Sequence, residues 1–214
     1  MIRTLIIRFA LGFLVLAFAS PSRPSFGGIP LEKLHFETGT ARTLAIAADR
    51  SNPYLNDPGK LISETLAALD ASRDSLVHLE TIRLAAIYAI NCDGENEFGV
   101  SEALQTKILT RALFSESNKK QNALAWLDAG FLTLAIRQSR GDFDWNVIQW
   151  IERAAELAPN DGGVRLAAGL LSKIFGGSKT SDHDAKTLEL AKENINLQKT
   201  IAGFPKSLQP NPKN

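Results

Sequence analysis

Between Thr38 and Ala202 apolar residues return every three to four positions, the spacing that aligns them along one side of an α-helix. No stretch alternates with period two and β-branched enrichment, so no strand is predicted. Over Asp161–Phe175, for example, Val164, Leu166, Leu170, Leu171 and Ile174 share one broad face. Turn signals divide the pattern. Asn52-Pro53 and Asn56-Asp57-Pro58-Gly59 separate helices at Thr38–Arg50 and Pro58–Ala71, with Asp57 as cap and Pro58 in the first turn. A second pair runs over Asp74–Asn91 and Ser101–Ser115. A third covers Lys119–Ser139 and Phe143–Ala158, joined by Arg140-Gly141-Asp142. A fourth covers Asp161–Phe175 and Ser181–Ala202, across Gly176-Gly177-Ser178.

A small-residue patch recurs in the first helix of each pair. It reads Leu44-Ala45-Ile46-Ala47, Leu84-Ala85-Ala86-Ile87, Leu127-Asp128-Ala129-Gly130 and Leu166-Ala167-Ala168-Gly169, with first residues 40, 43 and 39 positions apart. Recurrence at this period points to stacked helical hairpins, each too small to bury its own apolar face. Alanine or glycine lets two helices approach closely, and the flanking leucine fills the layer between them. The expected architecture is all-α, a right-handed solenoid of about four antiparallel hairpins over residues 37–203.

Within the third pair, Gly141-Asp142-Phe143-Asp144 is followed by Val147, Ile151, Ala154 and Leu157-Ala158-Pro159-Asn160-Asp161. Trp126 and Gly130 stand four apart in the helix before it. Over Ala125–Asp161 this resembles a tetratricopeptide repeat, with Trp126 and Gly130 at the repeat's aromatic and glycine positions. The first helix is about one turn longer than the family's, and one residue is added before Val147. The resemblance implies a scaffold whose first helices line a concave surface that receives a peptide or a partner helix.

The two ends read differently. Met1–Ala19 has the parts of a secretory signal: Arg3 and Arg8, the apolar run Phe9–Phe18, and Ala17-Phe18-Ala19 as a cleavage site, or it is kept uncleaved as an anchor. The body is then expected outside the cytoplasm, periplasmic or tethered to the inner membrane by residues 1–19. Residues 20–36 form a linker, and residues 204–214, with three prolines and no apolar period, are expected to be disordered. The formal charge is +1; without the leader, 22 of the 24 basic residues face 23 acidic ones. That balance argues against nucleic acid as a partner and gives no reason for a membrane-surface role beyond the N-terminal segment. Cys92 is the single cysteine, so no internal disulfide forms.

Candidate chemistry is sparse. The residues preceding each patch leucine, Thr43, Arg83, Trp126 and Arg165, form a column that on a concave face offers arginine forks for carboxylates and a tryptophan for apolar contact. The column has a plainer explanation as well: solvated arginines, and a tryptophan packed inside its hairpin. Between two predicted helices, Asn91, Asp93, Glu95, Glu97 and Glu102 fall at calcium-loop positions, although Asn96 stands where glycine makes the sharp turn; an acidic inter-helix turn explains the same residues. His35, His78 and His183 lack zinc spacing, and no nucleophile elbow, phosphate loop or dinucleotide fingerprint is present. Asp182-His183-Asp184 with Ser181 reads as the capped start of the last helix, and Glu152 and Glu156 as a solvated face. No cofactor and no catalytic activity are expected. The function expected is a non-catalytic adaptor for an envelope protein or peptide; through the family resemblance, secretion and polysaccharide export are its settings. The alternative is a periplasmic small-ligand or calcium-binding protein using the acidic loop.

Overall fold

The computed structural model describes residues 52–93, 99–115, 119–139, 144–175, 177–204 and 206–211. Eight helices and no strand occur among them: α1 Pro58–Ala71, α2 Ser75–Asp93, α3 Gly99–Phe114, α4 Lys119–Ser139, α5 Asn146–Leu157, α6 Gly162–Phe175, α7 Thr180–Ala191 and α8 Ile195–Ala202. The chain is therefore all-α, as its periodicity predicts. The expected helix over Thr38–Arg50, the leader and the linker lie outside the described residues.

Local signals set several boundaries. The Asp57 carboxylate accepts from the Lys60 N–H and Pro58 opens α1, so the predicted cap and first-turn proline both form. Asp161 accepts from Gly163 N and Val164 N at 3.1 Å each, capping α6. The predicted helix Ser181–Ala202 is in fact two. Asn194 leaves helical geometry and accepts from Leu197 N, starting α8, while Gln198 Nε2 donates to Ala191 O at the end of α7.

Burial sorts the helices into two kinds. α1 buries Leu61, Thr65 and Leu69, and α3 buries Leu104, Ile108 and Ala112, in each case one stripe with a solvated opposite side. α2 and α6 are buried on more than one side, and α4 serves two cores at once. Its Ala125, Ala129, Leu132 and Ile136 meet α1, α2 and α3; its Leu124, Leu127 and Leu134 meet α5 and α6. Each fully buried leucine of these layers, such as Leu84, Leu104 or Leu127, contributes about 1.5–3 kcal/mol.

Two of the small-residue patches lie at close helix approaches; the first, Leu44–Ala47, lies outside the described residues. A Cβ on Gly130 would sit 2.5 Å from Ile151 Cγ1 of α5, and one on Gly169 would sit 2.8 Å from Asp184 Oδ1 of α7. Each of these glycines admits the helix that follows its own in the chain. Helix α2 packs on α4, and its first turn also reaches α6, where Ser75 and Leu76 lie against Gly163. Leu76 joins Leu166, Leu170, Ala191, Leu197 and Leu208 in a third apolar cluster.

Leu208 corrects the expectation for the C-terminal tail. Residues 206–211 pack rather than trail: Leu208 is buried, Lys173 Nζ donates to Gln209 O at 2.5 Å, and Asn211 N donates to Asp184 Oδ2 at 2.6 Å. The tail lacks helical periodicity, yet one leucine and a row of backbone groups find partners on α6 and α7.

Candidate functional site

A polar cleft opens where α1 turns into α2, bounded by the end of α3 and the start of α4. It has a volume of about 220 Å³, and Asp70, Arg73, His78, Arg111, Gln121 and Phe114 are among its lining residues. At its base His78 and Asp128 are 2% and 1% exposed, with Nδ1 2.9 Å from both carboxylate oxygens. His78 Nε2 faces Ser72 O at 3.3 Å. Burial opposes the charged imidazole, but the hydrogen bond and charge of Asp128 outweigh it and raise the His78 pKa. Burial also raises the Asp128 pKa, and its bond to His78 only partly offsets that. Nδ1 is thus held between both oxygens of the carboxylate, and the pair titrates as one coupled unit.

Two guanidiniums stand above this pair. Arg111 Nη2 binds the exposed carboxylate of Asp70. Arg111 Nη1 is shielded from solvent and has no acceptor among the described residues. The Arg73 guanidinium is exposed, donates from Nη1 to Ser72 O and Asp70 O, and meets the Gln121 side-chain oxygen at 2.5 Å from Nη2. On the rim, Leu113 and Phe114 are 58% and 77% exposed. Such a cleft can hold a small anion; among the described residues it sets no nucleophile against a base.

A second charged cluster joins α5, α6 and α7. Glu152 accepts from Lys179 Nζ and lies 3.0 Å from His183 Nε2, while Arg165 Nη1 lies 3.1 Å from His183 Nδ1. Burial works to raise the Glu152 pKa, but the bonds from His183 and Lys179 prevail and lower it. Lys173 and Asp184 form a buried ion pair at 2.6 Å beside the tail. These contacts correct two expectations. His183 and Asp184 do not cap a helix: Lys179 stands at the N-cap of α7 without a side-chain bond, and both residues face inward. Glu152 is not one of a solvated pair, since it closes an inter-helix network.

The three described members of the expected column, Arg83, Trp126 and Arg165, are each partly buried. Thr43 lies outside the described residues. Arg83 is half-buried, and burial lowers its pKa against the charge of Glu80. Trp126 packs against both larger cores, with its ring 6.2 Å from that of Trp150. The Arg165 Nε donates to Pro159 O, and its Nη1 faces His183. In the acidic loop, Asp93 is buried and accepts from Val100 N and Ser101 N at 2.7 and 3.0 Å, closing the start of α3. Asn91 and Glu102 are exposed, and Glu95 and Glu97 lie outside the described residues. Among the described residues no cluster of three or more His, Cys, Asp or Glu is placed to hold a metal. Cys92 accepts from Asn52 Nδ2 at 3.2 Å, and burial pushes its thiol pKa up, which makes it less reactive.

Sequence reasoning missed the cleft, although one signal was available. Asp128 stands where the neighbouring patches carry Ala85 and Ala167, so a carboxylate occupies a position reserved for close packing. His78 is seven residues before Ala85, two turns along the same helix face. Comparison with protein-family models, curated proteins and solved structures finds no match to this chain.

Proposed function

We propose that the protein is a non-catalytic adaptor, a diverged array of tetratricopeptide-like hairpins, that acts in the cell envelope and binds a protein or peptide partner. The equivalent use of Gly130 and Gly169 supports true repetition of the hairpin. The contact of α2 with α6 departs from a stack in which each hairpin touches only its neighbours. Docking is therefore assigned to the end of α3 rather than to the column Thr43, Arg83, Trp126 and Arg165. The observation that carries this is the exposed Leu113–Phe114 pair beside the charged cleft, an apolar anchor next to two guanidiniums and one carboxylate. The complementary partner segment is apolar and acidic.

Export rests on the leader pattern in residues 1–19. Among the described residues no helix is long and apolar enough to cross a membrane. The test is affinity capture from the envelope fraction with tagged full-length protein, beside a Leu113→Ser/Phe114→Ser variant. A stoichiometric partner captured by the native chain and lost by the variant supports the reading. A partner retained by the folded variant, or none captured by either, overturns it.

A further inference from the structure

The cleft beneath Phe114 has a chemistry of its own that does not depend on a protein partner. Among its described lining residues, two guanidiniums, Arg73 and Arg111, stand with one exposed carboxylate, Asp70, above the hydrogen-bonded His78–Asp128 pair. Buried guanidinium N–H groups are costly without an acceptor, and Arg111 Nη1 has none among the described residues. Taken together, Arg73, Arg111 and Asp70 leave one positive charge to be balanced, which fits a carboxylate better than a phosphate dianion. Arginine forks match carboxylate geometry, and Phe114, Leu124 and Ala125 add an apolar wall. The volume, about 220 Å³, equals that of roughly seven waters of the liquid and lies below the usual range of larger ligand pockets.

The geometry points to a binding site for a small monocarboxylic acid, its carboxylate between Arg111 and Arg73 and its short apolar body against Phe114 and Leu124. Gln121 steadies Arg73 and Asp70 steadies Arg111, so both donors are held before the acid arrives. The buried His78–Asp128 pair forms the floor.

The test titrates the full-length chain with butyrate and phenylacetate, and with inorganic phosphate as the comparison, by calorimetry and by NMR of the arginine side chains. Saturable binding of at least one carboxylate with a Kd of about 1 mM or tighter is expected, with phosphate weaker. Arg111→Gln should weaken it at least about tenfold, the loss expected when one charge-assisted hydrogen bond is removed. Arg73→Gln, at an exposed position, provides a second reading should the first variant fail to fold. No saturation by about 10 mM, equal binding of phosphate, or unchanged affinity in the folded variants overturns the site. Loss of partner capture in the Leu113→Ser/Phe114→Ser variant does not decide this inference, which is read by carboxylate binding to the native chain with Phe114 in place.

Discussion

Removing one member of the His78–Asp128 pair should be far more damaging than removing both. The two side chains are 2% and 1% exposed and meet at 2.9 Å. In Asp128→Ala the imidazole keeps Ser72 O on Nε2 but loses the acceptor for Nδ1, and a void opens beside Leu124 and Ala125. In His78→Leu a carboxylate is left buried with no imidazole to share its proton. Each single substitution should cost about 3–5 kcal/mol, the range for breaking a buried ion pair from one side. Against a total stability of about 5–15 kcal/mol, that is a large share. The double variant His78→Leu/Asp128→Ala nearly conserves the pair's combined volume and buries no charge, so it should lie within about 2 kcal/mol of the native chain. The cycle is read by urea denaturation of all four proteins at pH 7, with Tm as a check; each single variant should lower Tm by about 6–20 °C for a chain of this size. A single variant within about 1 kcal/mol of native, or a double variant whose loss equals the sum of the singles, would refute the account. The same pair sets a pH trend. Because the folded-state pKa of His78 is raised, its contribution is fully present below about 6.5 and declines as pH rises through the folded value. The raised Asp128 pKa acts in the same sense, penalising the folded state once the carboxyl must ionise. The native chain's advantage over the double variant should therefore shrink from pH 6 toward pH 9.

Two further outcomes follow from named contacts. Gly130→Ala places a methyl 2.5 Å from Ile151 Cγ1 and 2.9 Å from its Cδ1, so it should destabilise by about 1–3 kcal/mol, and a companion Ile151→Ala should recover part of that loss in thermal melts. Glu152→Gln should cost about 1–2 kcal/mol at pH 7, the partly exposed carboxylate being screened by solvent. Since the folded-state pKa of Glu152 is lowered, its contribution is present above the ordinary value of 4.5 and is lost as pH falls through the folded value. Denaturation of both proteins at pH 7 and near pH 3.5 checks the sign; a gap that widens on acidification contradicts it.

How far the chain could be read in advance differs sharply between helices and contacts. The period of apolar residues settles helix against strand, because only one periodicity presents a continuous face. Punctuation works where the punctuating residue acts on its own backbone: Asp57-Pro58 opens α1, and Pro159-Asn160-Asp161 precedes α6. It fails at Asn194. The residues around that asparagine favour helix, and the break in Lys192–Asn194 is held by a side-chain cap and by the Gln198 bond to Ala191 O.

The helical class, the lengths of most described helices and the close approaches at Gly130 and Gly169 were thus legible in the sequence, since these follow from local spacing, caps and the absence of side-chain bulk. Only the tertiary structure decided which polar residues matter. Asp128 and His78 are fifty residues apart, Glu152 and His183 thirty-one, and Lys173 and Asn211 meet through Asp184 from three separate segments. Such pairings depend on which helix faces which, and the helices here do not stack in simple succession, since α2 touches both α4 and α6. A charged residue on a helix looks alike in sequence whether it meets water or a partner. Desolvation separates the two cases, and it exists only once the layers have packed.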